Sequence, residues 1–316
     1  MSNRPFCLEP TVLGIFISFL SETESLIYQI FSIMLPVVAI AMVGLVYARR
    51  YDPDMGTANR INLQVFLPAL IFSVMTGKEF QIIHFPWLAL AAVAIYFGSG
   101  VLAWPVARIL GYNNRTFIPP MMMKNCGNLG LPLAIFAFGP EALPAAIVLF
   151  IVTNSLHFSF GVYMMDHRIH LLELLKSPLV VVPIIALGLL LLEIKPPPLV
   201  VIPIQMLGEV SIPLMLFSLG ARLAYLERPD WKMGVIGGVV CPLTGLLIAL
   251  AVQPLLHLPV EQFRVLLLFS VLPPAVLVYL LAERFDQEPQ KVSAIVGFGN
   301  IGALITIPAV LPFILP

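Results

Sequence analysis

The stretch of sequence that decides the fold reads Lys124-Asn-Cys-Gly-Asn-Leu-Gly-Leu-Pro-Leu133. It places polar and helix-breaking residues in the middle of a hydrophobic segment, residues 116–139. A proline inside a helix has no N–H to donate and displaces the carbonyl four residues earlier, so we expect Pro132 to free the carbonyl of Asn128. Non-helical backbone at membrane depth is tolerated only where protein or a water-filled cavity satisfies it. The stretch therefore predicts a broken membrane helix beside a polar cavity.

The composition outside this stretch is that of an integral membrane protein. Hydrophobic residues make up 59% of the 316 positions and charged residues 11%, with a mean hydropathy of +0.99. Soluble domains have about 45–50% apolar and about 25% charged residues, so a water-soluble globule is excluded. The 17 basic and 17 acidic residues balance, which gives no indication of a nucleic-acid partner.

Hydropathy predicts an all-α membrane protein with ten transmembrane helices, because a span needs roughly 17–25 apolar residues. The predicted spans are 26–48, 59–77, 86–108, 116–139, 141–165, 177–194, 199–221, 232–252, 262–282 and 291–313. The loops that follow odd-numbered spans, together with the span ends beside them, contain twelve Lys and Arg residues, and the loops and span ends on the other side contain four. By the positive-inside rule, both termini are predicted to be non-cytoplasmic in a plasma membrane, or in the cell inner membrane if the source is bacterial.

The domain organisation follows from an internal repeat at a shift of about 145 residues. The segment from Asn62 to Ser73 aligns with the segment from Leu207 to Ser218 and shares Pro68/Pro213 and Phe72/Phe217 with it. We therefore divide the chain into an N-terminal extension (1–25), a first five-helix repeat (26–165) and a second five-helix repeat (177–316). An odd number of spans inverts the second copy, which is an architecture of secondary transporters with a midplane site. The extension is read as an interfacial helix or a disordered segment, and a cleaved signal peptide is the alternative.

The predicted site is centred on two breaks, in the fourth and the ninth span. The ninth span contains Ser270-Val-Leu-Pro273-Pro274, where two prolines free two carbonyls. The candidate substrate-binding residues of both spans supply amide groups, flexible backbone or a proline break: Asn125, Gly127, Asn128, Pro132, Ser270, Pro273 and Pro274. The half-helices also present N-terminal ends, which favour an anion. A packing kink is the alternative reading of these glycines and prolines.

Ionisable and amide residues elsewhere in the spans extend this site. Lys124 is a substrate-binding candidate because a charge at the helix centre is costly and usually functional; a pairing with Glu209 or snorkelling to the interface are its alternatives. Asn154 and Asn300 correspond across the repeats and are expected to flank the site, unless they only bond neighbouring helices. Glu209 and His157 are candidates for proton coupling, with a helix-end carboxylate and a structural histidine as the alternatives.

The sequence gives no indication of an enzyme, a cofactor or a metal site. It contains no His-Glu-x-x-His pair and no Gly-x-Ser-x-Gly elbow, the patterns expected of metal-dependent and serine hydrolases. Cys7, Cys126 and Cys241 match no metal-binding or disulfide spacing. A receptor or scaffold role would leave the broken midplane helices without a purpose.

Three motifs resemble the auxin efflux carrier family, which includes bacterial malonate and malate permease-like proteins and is related to bile-acid sodium symporters. They are Asn-Cys-Gly-Asn-Leu-Gly-Leu-Pro-Leu at 125–133, Phe-Leu-Pro-Ala-Leu-Ile-Phe at 66–72, and Leu-Pro-Pro-Ala-Val with Leu-Leu-Ala-Glu-Arg at 272–284. The resemblance covers roughly residues 26–316. Only about eleven residues, Asp166 to Lys176, join the halves, so the long central loop of the plant carriers is missing.

The resemblance implies a scaffold of helices 1, 2, 6 and 7 and a transport domain of helices 3–5 and 8–10 that moves like an elevator. It also implies that Asn125, Asn128, Pro132, Pro273 and Pro274 form a crossover at the substrate site, and that the protein forms a homodimer. The expected function is secondary transport of a small organic anion, such as a dicarboxylate, a monocarboxylate or an auxin-like acid, by alternating access with H+ or Na+. The alternative is a sodium-coupled symporter of bile-acid-like or keto-acid anions on the same fold.

Overall fold

The computed structural model describes residues 12–77, 80, 85–165, 177–225 and 230–315, and every named element among them is a helix. The first half contains α1 (Val12–Tyr51), α2 (Met55–Ile61), α3 (Leu67–Met75), α4 (Pro86–Ile109), α5 (Asn114–Met122), α6 (Leu131–Phe138), α7 (Leu143–Leu156) and α8 (Val162–Met165). The second half contains α9 (Pro178–Leu191), α10 (Pro198–Glu209), α11 (Ser211–Leu223), α12 (Trp231–Leu256), α13 (Val260–Ser270), α14 (Val276–Arg284) and α15 (Pro289–Ile314). The chain is thus an all-α membrane protein.

Helix length and apolar composition identify seven candidate membrane spans among the described residues. They are Glu24–Tyr51, Met55–Met75, Pro86–Ile109, Pro140–Gly161, Pro198–Leu223, Trp231–Leu256 and Pro289–Ile314. The three other predicted spans are shorter: Pro178–Leu191 is a 14-residue helix, and the segments 116–139 and 262–282 are each interrupted. Ten spans therefore remain a prediction.

The first helix begins before the first predicted span. Helix α1 begins at Val12 and continues without interruption to Tyr51, so residues 12–25 are helical and continuous with the first predicted span. The expectation for the extension concerns residues 1–11 as well, and these lie outside the described residues, as does the predicted connection between the two halves, residues 166–176.

Local chemistry explains where the helices begin. Proline occupies one of the first two positions of α4, α9, α10 and α15, where its missing N–H costs no hydrogen bond. Asp54 caps α2 by accepting from the Gly56 N–H at 2.8 Å, and Asp230 caps α12 by accepting from the Met233 N–H at 3.1 Å. Such caps satisfy the first N–H groups of a helix.

Prolines follow two of the three described π-helical segments, and the third, His157–Gly161, precedes α8 without a proline. Two π-helical segments, Asn62–Phe66 and Cys126–Gly130, each end two residues before a proline, Pro68 or Pro132. Because proline cannot donate to the ladder, the turn before it opens, as π turns often do at functional sites. Pro132 itself lies in the first turn of α6. The break in this span comes earlier than Pro132, at residues 123–125.

The helices pack in two groups. Helix α1 packs against α11, and α3 packs against α9 and α10, whereas α4 packs against α5, α7 and α12, and α12 packs against α15. The contact between α1 and α11 depends on glycine: a Cβ on Gly220 would lie 1.7 Å from the Ala41 carbonyl oxygen, and one on Gly44 would lie 2.0 Å from that of Phe217. Small residues permit such close helix approach in membranes.

The two interrupted helices meet at their breaks. The Asn125 N–H donates to the Pro273 carbonyl at 2.8 Å, and the Ala275 N–H donates to the Met123 carbonyl at 2.8 Å. These two bonds form an isolated antiparallel bridge between Lys124 and Pro274. The backbone groups released by one break are therefore satisfied by the other, and we call this junction, residues 123–125 with 271–275, the crossover.

Candidate functional site

A cavity of about 160 Å³ lies beside the crossover. One wall comes from the α2–α3 region and from α11, including Leu67 and Met215. The opposite wall comes from the crossover, α7 and α14, including Phe150 and Leu280. The cavity therefore lies between the two groups of packed helices.

Amide side chains are the dominant polar groups of this cavity. Five asparagines line it: Asn59, Asn62, Asn125, Asn128 and Asn154. The Asn62 Oδ1 accepts a hydrogen bond from the Ser211 hydroxyl at 2.9 Å, which fixes that side chain and leaves its Nδ2 as a donor. Because an amide supplies both donors and an acceptor, the wall can bind carboxylate oxygens through several neutral groups.

The two breaks also share an amide network. The Asn125 Nδ2 donates to the Asn300 Oδ1 at 3.4 Å, and the Asn300 Nδ2 donates to the Pro274 carbonyl at 3.1 Å and to the Val296 carbonyl at 2.9 Å. Asn300 is buried and is absent from the cavity wall, so it connects the crossover to α15. Its predicted counterpart Asn154 lines the cavity instead.

Two half-helix N-termini face the cavity. Gly127 and Asn128 in the first turn after one break, and Val276 and Leu277 after the other, all line it. The backbone N–H groups of these four residues have no backbone acceptor among the described residues, as expected for a helix start. Each such N-terminus is equivalent to roughly half a positive charge, so the cavity favours an anion.

The ionised side chains of the cavity are basic. Lys124 and Arg222 line it, and no Asp or Glu does among the described residues. The Lys124 ammonium donates to the Cys241 carbonyl on α12 at 2.6 Å, so the alternative of a pairing with Glu209 is not observed. Arg222 lies in the last turn of α11, and no described carboxylate pairs with it.

The two candidates for proton coupling lie in different places. His157 is buried on the cavity wall, its ring centroid is 5.6 Å from that of Tyr96, and its Nε2 has no hydrogen-bond partner among the described residues. Glu209 is exposed at the end of α10, where it accepts from the Gln205 Nε2 at 3.1 Å. A shared proton pathway through these two residues has no geometric support.

Several other predicted residues lie behind the cavity wall. Pro273 and Pro274 supply carbonyl acceptors within the crossover. The Ser270 hydroxyl donates to the Leu267 carbonyl in its own helix at 2.7 Å, and Pro132 is buried in α6. Pro273 and Pro274 shape the second break, and none of these four residues is part of the cavity wall.

Sequence reasoning missed Arg222, Asn59 and Asn62. Arg222 comes directly after the predicted span 199–221, a position typical of a loop residue, although α11 continues to Leu223. Asn62 opens the repeated segment quoted above, so its position in that alignment was the available signal. Asn59 lies at the start of its predicted span and gave no signal of its own.

Comparison with known proteins finds one family model that matches part of the chain. No curated protein matches the chain. Residues 162–311 match the model of the family described as Membrane transport protein, which is the auxin efflux carrier family. This family comprises transporters and not enzymes. The match confirms the resemblance found in the sequence over residues 162–311, and it indicates that the protein is a membrane transporter.

Proposed function

We propose that the protein is a secondary transporter that moves a small organic anion across the membrane by alternating access. The observation that carries this proposal is the cavity wall, which combines amide side chains, two half-helix N-termini and basic residues with no described carboxylate. A negatively charged ligand is stabilised by each of these groups. A dicarboxylate, a monocarboxylate or an auxin-like acid would suit the cavity.

The proposed architecture is ten spans in two inverted five-helix repeats. The interruption at Val210 between α10 and α11 precedes Pro213, just as the π turn Asn62–Phe66 precedes Pro68, which agrees with the repeat alignment. The packing of α1 on α11 has a counterpart in that of α9 on α3. Each repeat contains one broken helix, and the two breaks hydrogen-bond to each other, which agrees with the same two-fold relation.

The proposed motion is of the elevator type. The scaffold would be α1–α3 with α9–α11, and the moving part would be α4–α8 with α12–α15. Hydrogen bonds support each part as a unit: Ser211 with Asn62 in the scaffold, and Asn125 with Asn300 in the moving part. The cavity lies between the parts, so a displacement of one against the other would carry the ligand.

The membrane orientation and the assembly belong to the same proposal. With both termini non-cytoplasmic, the end of α11 with Arg222 would face the cytoplasm, in the plasma membrane or the bacterial inner membrane. The protein would act as a homodimer in the lipid bilayer. H+ is one coupling ion, with His157 as the cavity-facing candidate and Glu209 as the second. The alternative remains Na+-coupled symport of bile-acid-like or keto-acid anions.

Uptake into proteoliposomes tests the proposal. Purified protein is reconstituted and supplied with radiolabelled malonate, pyruvate or indole-3-acetate, each with a Na+ gradient, a proton gradient or neither. We expect saturable uptake of at least one anion and recovery of the intact compound inside. Arg222→Gln should raise KM for that anion at least about tenfold, because a charge-assisted hydrogen bond contributes about 1.5–3 kcal/mol.

Arg108→Gln is the matched control. Arg108 is an exposed arginine in the last turn of α4, with its guanidinium 5.4 Å from the Trp104 ring, and it does not line the cavity. This variant should transport like the parent. Uptake of none of the anions, or an unchanged KM in Arg222→Gln, would contradict the proposal.

A further inference from the structure

The side chain of Lys124 has an unusual environment for a charged group in a membrane. It is 3% exposed, and its Nζ donates to the Cys241 carbonyl at 2.6 Å and contacts the Cys241 Sγ at 3.5 Å. No described carboxylate lies within ion-pair distance of it. Basic groups inside membranes normally pair with acids or with backbone carbonyls, and the Cys241 carbonyl of α12 is the carbonyl that Lys124 contacts.

Carbonyls from the C-terminal ends of both broken helices lie around this contact with Cys241. The Cys241 Sγ lies 3.6 Å from the Pro120 carbonyl oxygen and 3.6 Å from that of Leu272. A Cβ added to Gly245 would lie 2.0 Å from the Ser270 carbonyl oxygen and 2.7 Å from the Lys124 Nζ. These two groups therefore approach the same face of α12. The ammonium therefore lies where the ends of α5 and α13 meet α12.

The electrostatics of this junction are opposite to those of the cavity. A helix C-terminus is equivalent to roughly half a negative charge, and two of them converge here. In broken-helix transporters, unwound carbonyls and half-helix C-terminal ends coordinate the coupling cation. Such a junction needs a positive charge, which is either a bound cation or a cationic side chain of the protein itself.

We infer that the ammonium group of Lys124 is the built-in cation of the crossover, so that this chain binds and moves its anion without Na+. The side chain then acts as a positioning residue, holding the carbonyl ends of α5 and α13 against α12. Recognition of the anion is left to Arg222, the asparagines and the half-helix N-termini. The part of the inference that concerns transport rests on the proposed function, and the part that concerns the cation site does not.

Thermal unfolding of the purified protein tests the cation site without any substrate. The parent, Lys124→Ala and Lys232→Ala are compared in NaCl and in choline chloride at equal ionic strength. Lys232 is an exposed lysine near the Trp231 ring and serves as the matched control. We expect the parent and the control to unfold at the same temperature in both salts. Lys124→Ala should unfold at a lower temperature in choline chloride and recover partly in NaCl, because Na+ enters the vacated carbonyl site.

Two results would overturn the inference. One is a parent protein that is stabilised by NaCl over choline chloride, and the other is a Lys124→Ala variant that responds to the two salts as the parent does. If Lys124→Ala cannot be purified in a folded form, the parent and Lys124→Arg decide the question. Both retain a positive charge, and neither should respond to Na+.

Transport kinetics separate positioning from substrate binding. Uptake of malonate, or of the probe anion that the parent takes up best, is measured in NaCl and in choline chloride for the parent, Lys124→Arg and Lys124→Met. The parent should show equal rates in both salts. Lys124→Met should lose at least about tenfold in maximal rate with KM within about twofold of the parent, and Lys124→Arg should recover part of that rate.

A raised KM with an unchanged maximal rate would assign Lys124 to the anion instead. A parent that transports no probe contradicts the proposed function and leaves the unfolding result standing.

Discussion

The two helix breaks have the same backbone role but different side-chain chemistry. The first break is followed by polar residues, with Asn125 and Asn128 on the cavity wall and Lys124 directed to α12. The second consists of Val271, Leu272, Pro273, Pro274 and Ala275, which offer only main-chain groups. One break therefore supplies the specific contacts and the other supplies carbonyl acceptors and a helix N-terminus. Inverted repeats therefore determine the backbone geometry of the crossover, whereas the side chains at the two breaks can differ in their chemistry.

Loss of the amide connection between the two breaks should reduce anion uptake more than the other changes predicted below. Asn300→Leu removes the donor to the Pro274 carbonyl and the acceptor of the Asn125 amide, leaving buried polar groups without partners at about 1–3 kcal/mol each. We expect anion uptake to fall at least about tenfold and thermal stability in detergent to drop. Gly302→Ala is the control in the same helix, because no atom lies within 4 Å of its added Cβ. Parent-like uptake by Asn300→Leu would show that transport depends on the backbone bonds of the crossover and not on the amide network.

Side chains beside the first break should affect affinity more than those beside the second. Asn128 and Leu277 both line the cavity, each in the first turn after its break. Asn128→Ala removes an amide that can bond the anion, so we expect KM to rise about tenfold, or about 1.4 kcal/mol. Leu277→Ala should change KM by less than about threefold. Equal changes in the two variants would contradict the division of roles, and KM from initial uptake rates measures both.

The smallest effect on stability is expected at the hydrogen bond that joins the start of α5 to the residue before α15. The Thr116 hydroxyl at the start of α5 donates to the Glu288 Oε2 at 2.6 Å, and Lys291 pairs with the same carboxylate. The Lys291 ammonium and the Thr116 hydroxyl hold the pKa of Glu288 below its ordinary value. We expect Thr116→Val to reduce thermal stability by less than about 1 kcal/mol at pH 7, because the carboxylate is partly exposed.

The pH dependence of that difference follows from the direction of the shift. A lowered pKa contributes stability above the ordinary carboxyl value, about 4.3 for Glu, and the contribution is lost as the pH falls through the pKa of the folded state. The difference between the parent and Thr116→Val in thermal unfolding should therefore be present at pH 7 and disappear in acid. A difference that grows in acid would contradict the assigned contact.

The sequence predicted more of the fold than of the site. Long apolar runs and the recurrence of Pro68 at Pro213 are local signals, because hydropathy and a missing N–H act within a few residues. The helix bounds were less predictable: α1 starts earlier than expected, and α11 extends far enough to bring Arg222 to the cavity. In the sequence, a charged residue at the end of an apolar run gives the same pattern whether its side chain faces water or a cavity.

By itself, the sequence determined a helical membrane protein with two proline-interrupted segments, and it located the polar run that follows the first break. Only the tertiary structure decided that the break at 123–125 bonds the break at 271–275, that Asn300 joins them, and that Lys124 faces the Cys241 carbonyl rather than Glu209. The physical reason is that burial and proline act along the chain, whereas the partner of a buried charge depends on which distant carbonyls the packing brings within 3 Å of it.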